Sequence, residues 1–149
     1  MRSARNIATV GALTTLVAGA TAVFGTTASA APNVTPQRVC GSAYKTVNSV
    51  PVGSLGTVYL TYNPSNGKNC VATIRANPGT AKDMSTYVYV PDTDEWAGDN
   101  GNYTSYAGPA YVYGKGHCVS WGGNIANVYV SVDNSNCAAR KEHRVTEIR

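Results

Sequence analysis

Four carboxylates lie close together in the sequence and are the residues best suited to acid–base chemistry. Asp92, Asp94, Glu95 and Asp99 fall within one acidic, turn-like stretch. Glycoside hydrolysis uses a pair of placed carboxylates, so a hydrolase that acts through Asp92, Asp94 and Glu95 is one hypothesis. The same oxygens would suit Ca²⁺. However, Trp96 occupies the third ligand position of the standard loop and the required glutamate is missing, so we expect no metal site here.

Other catalytic groups are scarce in this sequence. The chain has two histidines, of which His117 lies beside a cysteine on a predicted strand and His143 lies in the charged C-terminal segment. Nucleophilic catalysis needs a nucleophile, a base and an orienting group. The sequence contains no G-x-S-x-G, no H-E-x-x-H and no Gly-rich phosphate loop. We therefore expect a protein that is not an enzyme and that binds no cofactor.

The ten tyrosines and two tryptophans form a second group with a binding chemistry. An exposed aromatic ring has an apolar body and can contact sugars or other surfaces. Part of these rings must fill the core, because the chain has a single Phe. Tyr87 and Tyr89 share one strand face and Val88 and Val90 the other, so one face meets solvent or a partner if the sheet has one buried side. The candidates for surface binding are Tyr87, Tyr89, Trp96, Tyr111, Tyr113 and Trp121.

All four cysteines, Cys40, Cys70, Cys118 and Cys137, follow the first thirty residues. An even number in an exported chain predicts two disulfides, for which three connectivities exist. We favour Cys40–Cys70 and Cys118–Cys137, because sequential pairing links each half of the domain locally. Each bond would stabilise the fold by about 3–4 kcal/mol in the chain-entropy model. A zinc site is disfavoured, because the chain has no C-x-x-C and His117 stands alone beside Cys118.

The first thirty residues have the three parts of a secretory signal peptide. Arg2 and Arg5 give a cationic start, residues 7–25 carry no charge, and Ala28-Ser29-Ala30 forms a cleavage site. Removal of residues 1–30 takes away two of the 12 basic residues and lowers the formal net charge from +4 to +2. A nearly neutral domain lacks the basic face that nucleic-acid binding requires. We expect neither nucleic acid nor, after cleavage, a membrane as a partner.

The rest of the chain divides into one domain over residues 31–137 and a charged tail over residues 138–149, which we expect to be a helical or disordered extension. The domain shows period-2 alternation of β-branched and aromatic residues, which predicts short strands. Seven or eight strands predict an all-β, antiparallel sandwich or small barrel with two disulfides. The clearest strands are 57–62, 70–75, 86–90, 110–113, 117–121 and 128–132, with a weaker one at 103–106.

Several segments of the domain resemble the spore-associated protein A family of actinomycetes. The resemblance covers the chain from Cys40 to Cys137, with all four cysteines in order. It implies a small secreted protein associated with spores and brings no catalytic residues with it. The segments that carry it are Cys40–Lys45, Gly56–Tyr62, Gly67–Cys70, Gly101–Pro109 and Gly116–Trp121.

These observations together lead to one functional expectation and two alternatives. We expect a secreted, non-catalytic protein in the extracellular space or on the spore surface, whose partners are components of the spore or cell wall. A small secreted inhibitor or a module that binds glycans or the cell wall is the first alternative. A hydrolase that uses Asp92, Asp94 and Glu95 is the second and is disfavoured by the scarcity of other catalytic groups.

Overall fold

The computed structural model describes residues 33–137. Within this range the strands pair antiparallel in two four-stranded sheets, with the orders β1-β2-β3-β6 and β5-β4-β7-β8. The prediction of an all-β antiparallel fold is therefore confirmed, and the two sheets pack as a sandwich around a common core. The elements are α1 (Pro36–Cys40), β1 (Lys45–Val52), β2 (Gly56–Asn63), β3 (Lys68–Arg75), β4 (Lys82–Val90), β5 (Glu95–Tyr103), β6 (Tyr106–Tyr113), β7 (Val119–Ile125) and β8 (Val128–Ser135).

The predicted signal peptide (residues 1–30) and charged tail (residues 138–149) lie outside the described residues, and the domain boundaries stay predictions. No helix within residues 33–137 is long and apolar enough to cross a membrane.

The hairpin of β2 and β3 shows how local sequence sets the strand register. Asn63 and Asn66 each accept a hydrogen bond from a backbone N–H two residues further on, at 2.9 and 3.0 Å. Side chains of this type stabilise tight turns. Gly67 has φ +70°, a left-handed conformation that glycine adopts without a steric cost. The turn places Asn63 opposite Lys68 and fixes the pairing of the whole hairpin.

The core between the sheets is built from alternate residues of the strands. Val88 and Val90 of β4 are fully buried, and the tyrosines between them point to the outside of the sheet. Trp121 of β7 is the largest fully buried side chain in the described part. The inner faces of both sheets supply the rest of the core, namely Val52, Val58, Leu60, Val71, Met84, Ala107, Ala110, Val112, Val119 and Ile125.

Two strands form where the sequence predicts none. β5 (Glu95–Tyr103) occupies most of the acidic stretch that was predicted to be a turn, and this prediction is wrong. β1 (Lys45–Val52) was not predicted at all. Both are edge strands with many exposed positions, so they lack the apolar alternation that identifies a half-buried strand. The short helix α1 is a further element that the periodicity does not reveal.

Both predicted disulfides are confirmed. Cys40 is bonded to Cys70 and Cys118 to Cys137. The first bond is buried, with Cys40 4% and Cys70 0% exposed. The second lies at the surface and joins the segment before β7 to the segment after β8. Each bond thus links two segments of one half of the domain.

Candidate contact surface

The outer side of the first sheet is covered, and we call it the covered face. Thr35 caps the N-terminus of helix α1, and its Oγ1 accepts a hydrogen bond from the Arg38 N–H at 3.2 Å. The helix lies against β3 and is attached to it by the Cys40–Cys70 disulfide. A second, smaller apolar cluster fills the space beneath it, formed by Cys40, Tyr44, Cys70, Ala72 and Ile74.

The two candidate tyrosines of β6 lie on this side of the molecule. Tyr111 donates its hydroxyl to the Cys40 carbonyl oxygen at 2.8 Å, and its ring centre is 5.5 Å from that of Tyr44. The ring of Tyr113 lies against Gly67, where an added Cβ would be 2.7 Å from the ring. Tyr111 therefore helps to fix the helix, although part of its ring is exposed.

The outer side of the second sheet carries four aromatic rings, and we call it the open face. The single helix of the described part lies on the other sheet. Tyr87 and Tyr89 are half-buried and point outwards from β4. Trp96 of β5 lies opposite Tyr89 in the strand register, and Tyr129 projects from β8. Trp96 is 66% and Tyr129 72% exposed, the two largest values among the described apolar and aromatic residues.

Glycines beneath two of these rings allow the rings to lie close to the sheet. A Cβ on Gly98 would be 2.5 Å from Cζ2 of Trp96, and a Cβ on Gly122 would be 2.9 Å from Cε1 of Tyr87. Each ring therefore lies against the backbone of a glycine in a neighbouring position. A larger residue at either glycine would displace the ring from this position.

Two shallow depressions lie next to each other on the open face and share Tyr87. The larger, of about 570 Å³, is lined by Tyr87, Tyr89 and Trp96 together with the polar residues Asp133 and Asn134. The smaller, of about 280 Å³, lies between Tyr87 and Tyr129 and includes Ser85 and Ser131. Aromatic rings and polar side chains therefore alternate across the surface.

The charge on the open face is negative. Asp83 and Asp133 are the charged residues at outward positions of the second sheet. Burial raises the pKa of Tyr87 above its usual value, and the nearby charge of Asp133 raises it further. The lysines and arginines of the described residues all lie elsewhere, at Arg38, Lys45, Lys68, Arg75, Lys82 and Lys115.

The prediction for Trp121 is wrong, and Tyr129 was missed as a contact residue. Trp121 is 0% exposed, and its indole N–H donates to Ser135 Oγ at 2.9 Å. Its position in β7 places it on the inner side of the sheet. The sequence does not reveal this, because Trp121 is followed by two glycines rather than by alternating apolar residues. Tyr129 lies between Val128 and Val130, and this alternation could have placed it on an outer face.

The acidic residues proposed for hydrolysis have partners within the fold. Asp92 Oδ2 is 3.0 Å from His117 Nδ1, and Asp94 Oδ1 accepts the hydroxyl of Tyr89 at 2.9 Å. The bond to Asp94 raises the pKa of Tyr89, because an ionised phenol would lose it. Asp92 and Asp94 are therefore each bound by a different side chain of the fold.

The other two carboxylates join the edges of the two sheets. Glu95 accepts the backbone N–H of Tyr113 at 3.3 Å. Asp99 accepts the N–H of Gly108 at 2.7 Å and, through its other oxygen, the hydroxyl of Tyr103 at 2.7 Å. Both residues belong to edge strand β5 and bind backbone donors of edge strand β6. We call this contact between β5 and β6 the seam.

The pair of His117 and Asp92 lies at a cavity of about 340 Å³, which His117 lines together with Tyr62, Asn69 and Lys115. A histidine–carboxylate pair activates a nucleophile such as a serine hydroxyl or a thiol. The residues that line this cavity within the described part include no serine, threonine or free thiol. The cavity thus lacks the usual nucleophiles that such a pair activates.

One comparison with known proteins is decisive for the family. Spore-associated protein A of Streptomyces coelicolor is 49% identical to this chain over 129 residues, which are 87% of this chain and 80% of that protein. The chain belongs to the spore-associated protein A family. The name of that relative places it with spores and states no chemical activity. No protein-family model and no solved structure matches the chain.

Proposed function

We propose that this member of the spore-associated protein A family is a secreted, non-catalytic protein that is retained on the spore or cell surface through its open face. The observation that carries the proposal is the group of four outward aromatic rings on one sheet face. Exposed hydrophobic groups that are clustered on one face and rimmed by polar residues mark interaction sites. The relative in Streptomyces coelicolor, whose name describes a spore-associated protein, supports the location.

The absence of catalysis is supported by the environment of the acidic residues. Asp99 and Glu95 accept backbone hydrogen bonds in the seam. Asp94 is bound by Tyr89 and Asp92 by His117. A catalytic carboxylate pair must face the substrate from two sides, whereas each of these residues, although Asp92, Asp94 and Glu95 are exposed, already binds another group of the protein.

Secretion is supported by the chemistry of the cysteines and by the sequence of the N-terminal segment. Two disulfides persist in an oxidising environment outside the cytoplasm, and all four cysteines are paired in them. Residues 1–30 have the pattern of a cleaved signal peptide.

Fractionation of the producing culture tests the proposal. We expect the wild-type protein to remain on washed spores or aerial hyphae, as measured by immunoblot after a salt wash. Replacement of both exposed rings, Trp96→Ala with Tyr129→Ala, should move most of it to the medium. The matched control, Tyr113→Ala, removes an exposed ring from the first sheet and should leave the protein on the spores. A wild-type protein found only in the medium would refute surface retention and favour a diffusible inhibitor.

A further inference from the structure

We propose that the open face binds an uncharged, β-linked polysaccharide, with sugar rings stacked on Trp96, Tyr87 and Tyr129. This inference rests on the proposed function and names the ligand class for the same surface. The three rings lie in successive rows of the second sheet, Trp96 on β5, Tyr87 on the adjacent strand β4, and Tyr129 on β8, which β7 separates from β4. From strand spacings and residue rises, the diagonal from Trp96 to Tyr129 spans roughly 20 Å. That length fits a short run of sugar units rather than a single small molecule.

The position of the rings on the sheet suits stacking against a sugar. The face of a sugar ring with equatorial hydroxyls is a flat patch of C–H groups, which packs against the face of an aromatic ring. Trp96 lies against Gly98 and Tyr87 against Gly122, so both rings contact the sheet. Both depressions beside Tyr87 are open and shallow, as a surface for an extended chain requires.

Polar groups between the rings can bind the hydroxyls of such a chain. Asp133 and Asn134 line the depression next to Trp96, and Ser85 and Ser131 line the one next to Tyr129. Carboxylate, amide and hydroxyl groups supply both donors and acceptors. A purely apolar partner would bury the Asp133 carboxylate without supplying a hydrogen bond to it, which costs free energy.

The charge of the surface selects among the polymers of a cell or spore exterior. Asp83 and Asp133 are at outward positions of the second sheet, and the basic residues of the described part lie elsewhere. Like charges at a contact are unfavourable. The surface therefore disfavours anionic partners, such as a phosphate-containing wall polymer, a nucleic acid or an acidic lipid surface. An uncharged glycan meets no such repulsion.

Binding of the purified mature protein to insoluble chitin and cellulose tests the inference. We expect saturable depletion from solution that persists at high salt, because the contact involves no ion pairs. Trp96→Ala with Tyr129→Ala should weaken binding at least about tenfold, as the loss of central aromatic contacts does. The control Tyr113→Ala should bind like the wild type. Thermal unfolding verifies that each variant is folded.

A second variant displaces a ring without removing it. In Gly98→Ala the new methyl group would lie 2.5 Å from the Trp96 ring, so the ring must move off the sheet. We expect weaker binding than in the wild type but stronger binding than in Trp96→Ala. Equal binding by wild type and Gly98→Ala would contradict the role of the flat ring.

The outcomes separate this inference from the proposed function. A protein that stays on washed spores but binds neither polysaccharide, or binds both undiminished in the Trp96→Ala/Tyr129→Ala variant, overturns the glycan inference alone. If sedimentation shows a wild-type dimer that the same variant dissociates, the open face is an interface between copies and the inference is wrong. A protein that binds chitin through Trp96 but is missing from spores supports the ligand class and refutes surface retention.

Discussion

The covered face and the open face of this sandwich both carry outward aromatic residues, but these residues differ in their contacts and in their exposure. On the covered face Tyr111 contacts Tyr44 and bonds to the helix carbonyl of Cys40. On the open face Trp96 and Tyr129 project with most of their surface exposed. The difference arises from a single turn of helix and one disulfide, which cover the first sheet, whereas no helix within residues 33–137 covers the second. Whether an outward tyrosine contacts the rest of the fold or is exposed to solvent therefore depends on which sheet α1 covers.

The largest expected effect concerns the bond that holds the cover in place. Cys40→Ala with Cys70→Ala should lower the free energy of unfolding by about 3–4 kcal/mol, because the 30-residue loop is no longer restricted in the unfolded chain. Urea unfolding under non-reducing conditions measures this. Cys118→Ala with Cys137→Ala is the matched control. Its loop is shorter, at 19 residues, and its bond lies at the surface, so the loss should be smaller. A larger loss in the control would contradict the central role of the cover.

A smaller effect distinguishes a structural tyrosine from a free one. Tyr111→Phe removes the hydrogen bond to the Cys40 carbonyl and should cost about 1 kcal/mol of stability. Tyr129→Phe, on the open face, should change stability by less than about 0.5 kcal/mol. Thermal or urea unfolding of both variants checks the contrast. Equal losses would show that the two faces are not distinguished in this way.

A third prediction concerns the interior that both sheets share. The hydroxyls of Thr73 and Thr86 are buried and have no hydrogen-bond partner among the described residues. Replacement of either by Val keeps the shape and should stabilise the fold by about 1 kcal/mol. The matched control is Thr61→Val, since Thr61 donates to the Cys70 carbonyl at 2.9 Å and its loss should destabilise. A destabilised Thr86→Val variant would point to a partner for that hydroxyl.

The smallest effect is a dependence of stability on alkaline pH. Hydrogen bonding to Asp94 raises the pKa of Tyr89, and hydrogen bonding to Asp99 raises that of Tyr103. Ionisation is then easier in the unfolded chain, where tyrosine titrates near about pH 10. The stabilisation is complete below that pH and is lost as pH rises through the higher folded pKa. Between about pH 8 and 11, the urea midpoint should fall less steeply with rising pH in Tyr89→Phe/Tyr103→Phe than in the wild type. The same slope in both proteins would contradict this.

The inner strands could be predicted from the sequence because their inward and outward residues alternate with a period of two. Val88 and Val90 alternate with Tyr87 and Tyr89, and burial follows that alternation in the structure. The disulfide pairing also followed from local linkage. The alternation depends on neighbouring residues along the chain, and the pairing on the order of the cysteines, both of which the sequence displays directly.

The edge strands and the contact surface depend on contacts that are distant in the chain. β5 is rich in polar residues and glycines, because its exposed side faces solvent and its carboxylates bind β6. Trp121 carries no local sign of being buried, since its burial comes from packing against the opposite sheet. The exposure of Trp96 likewise depends on which sheet α1 covers.

The seam has a further consequence for how copies of this chain can meet. An edge strand with free N–H groups is a template on which a strand of another molecule can grow. On β6 two such donors, of Gly108 and Tyr113, are already bound by Asp99 and Glu95. These carboxylates occupy the donors and place negative charge beside the edge. Both features disfavour the addition of a strand from another copy at this edge.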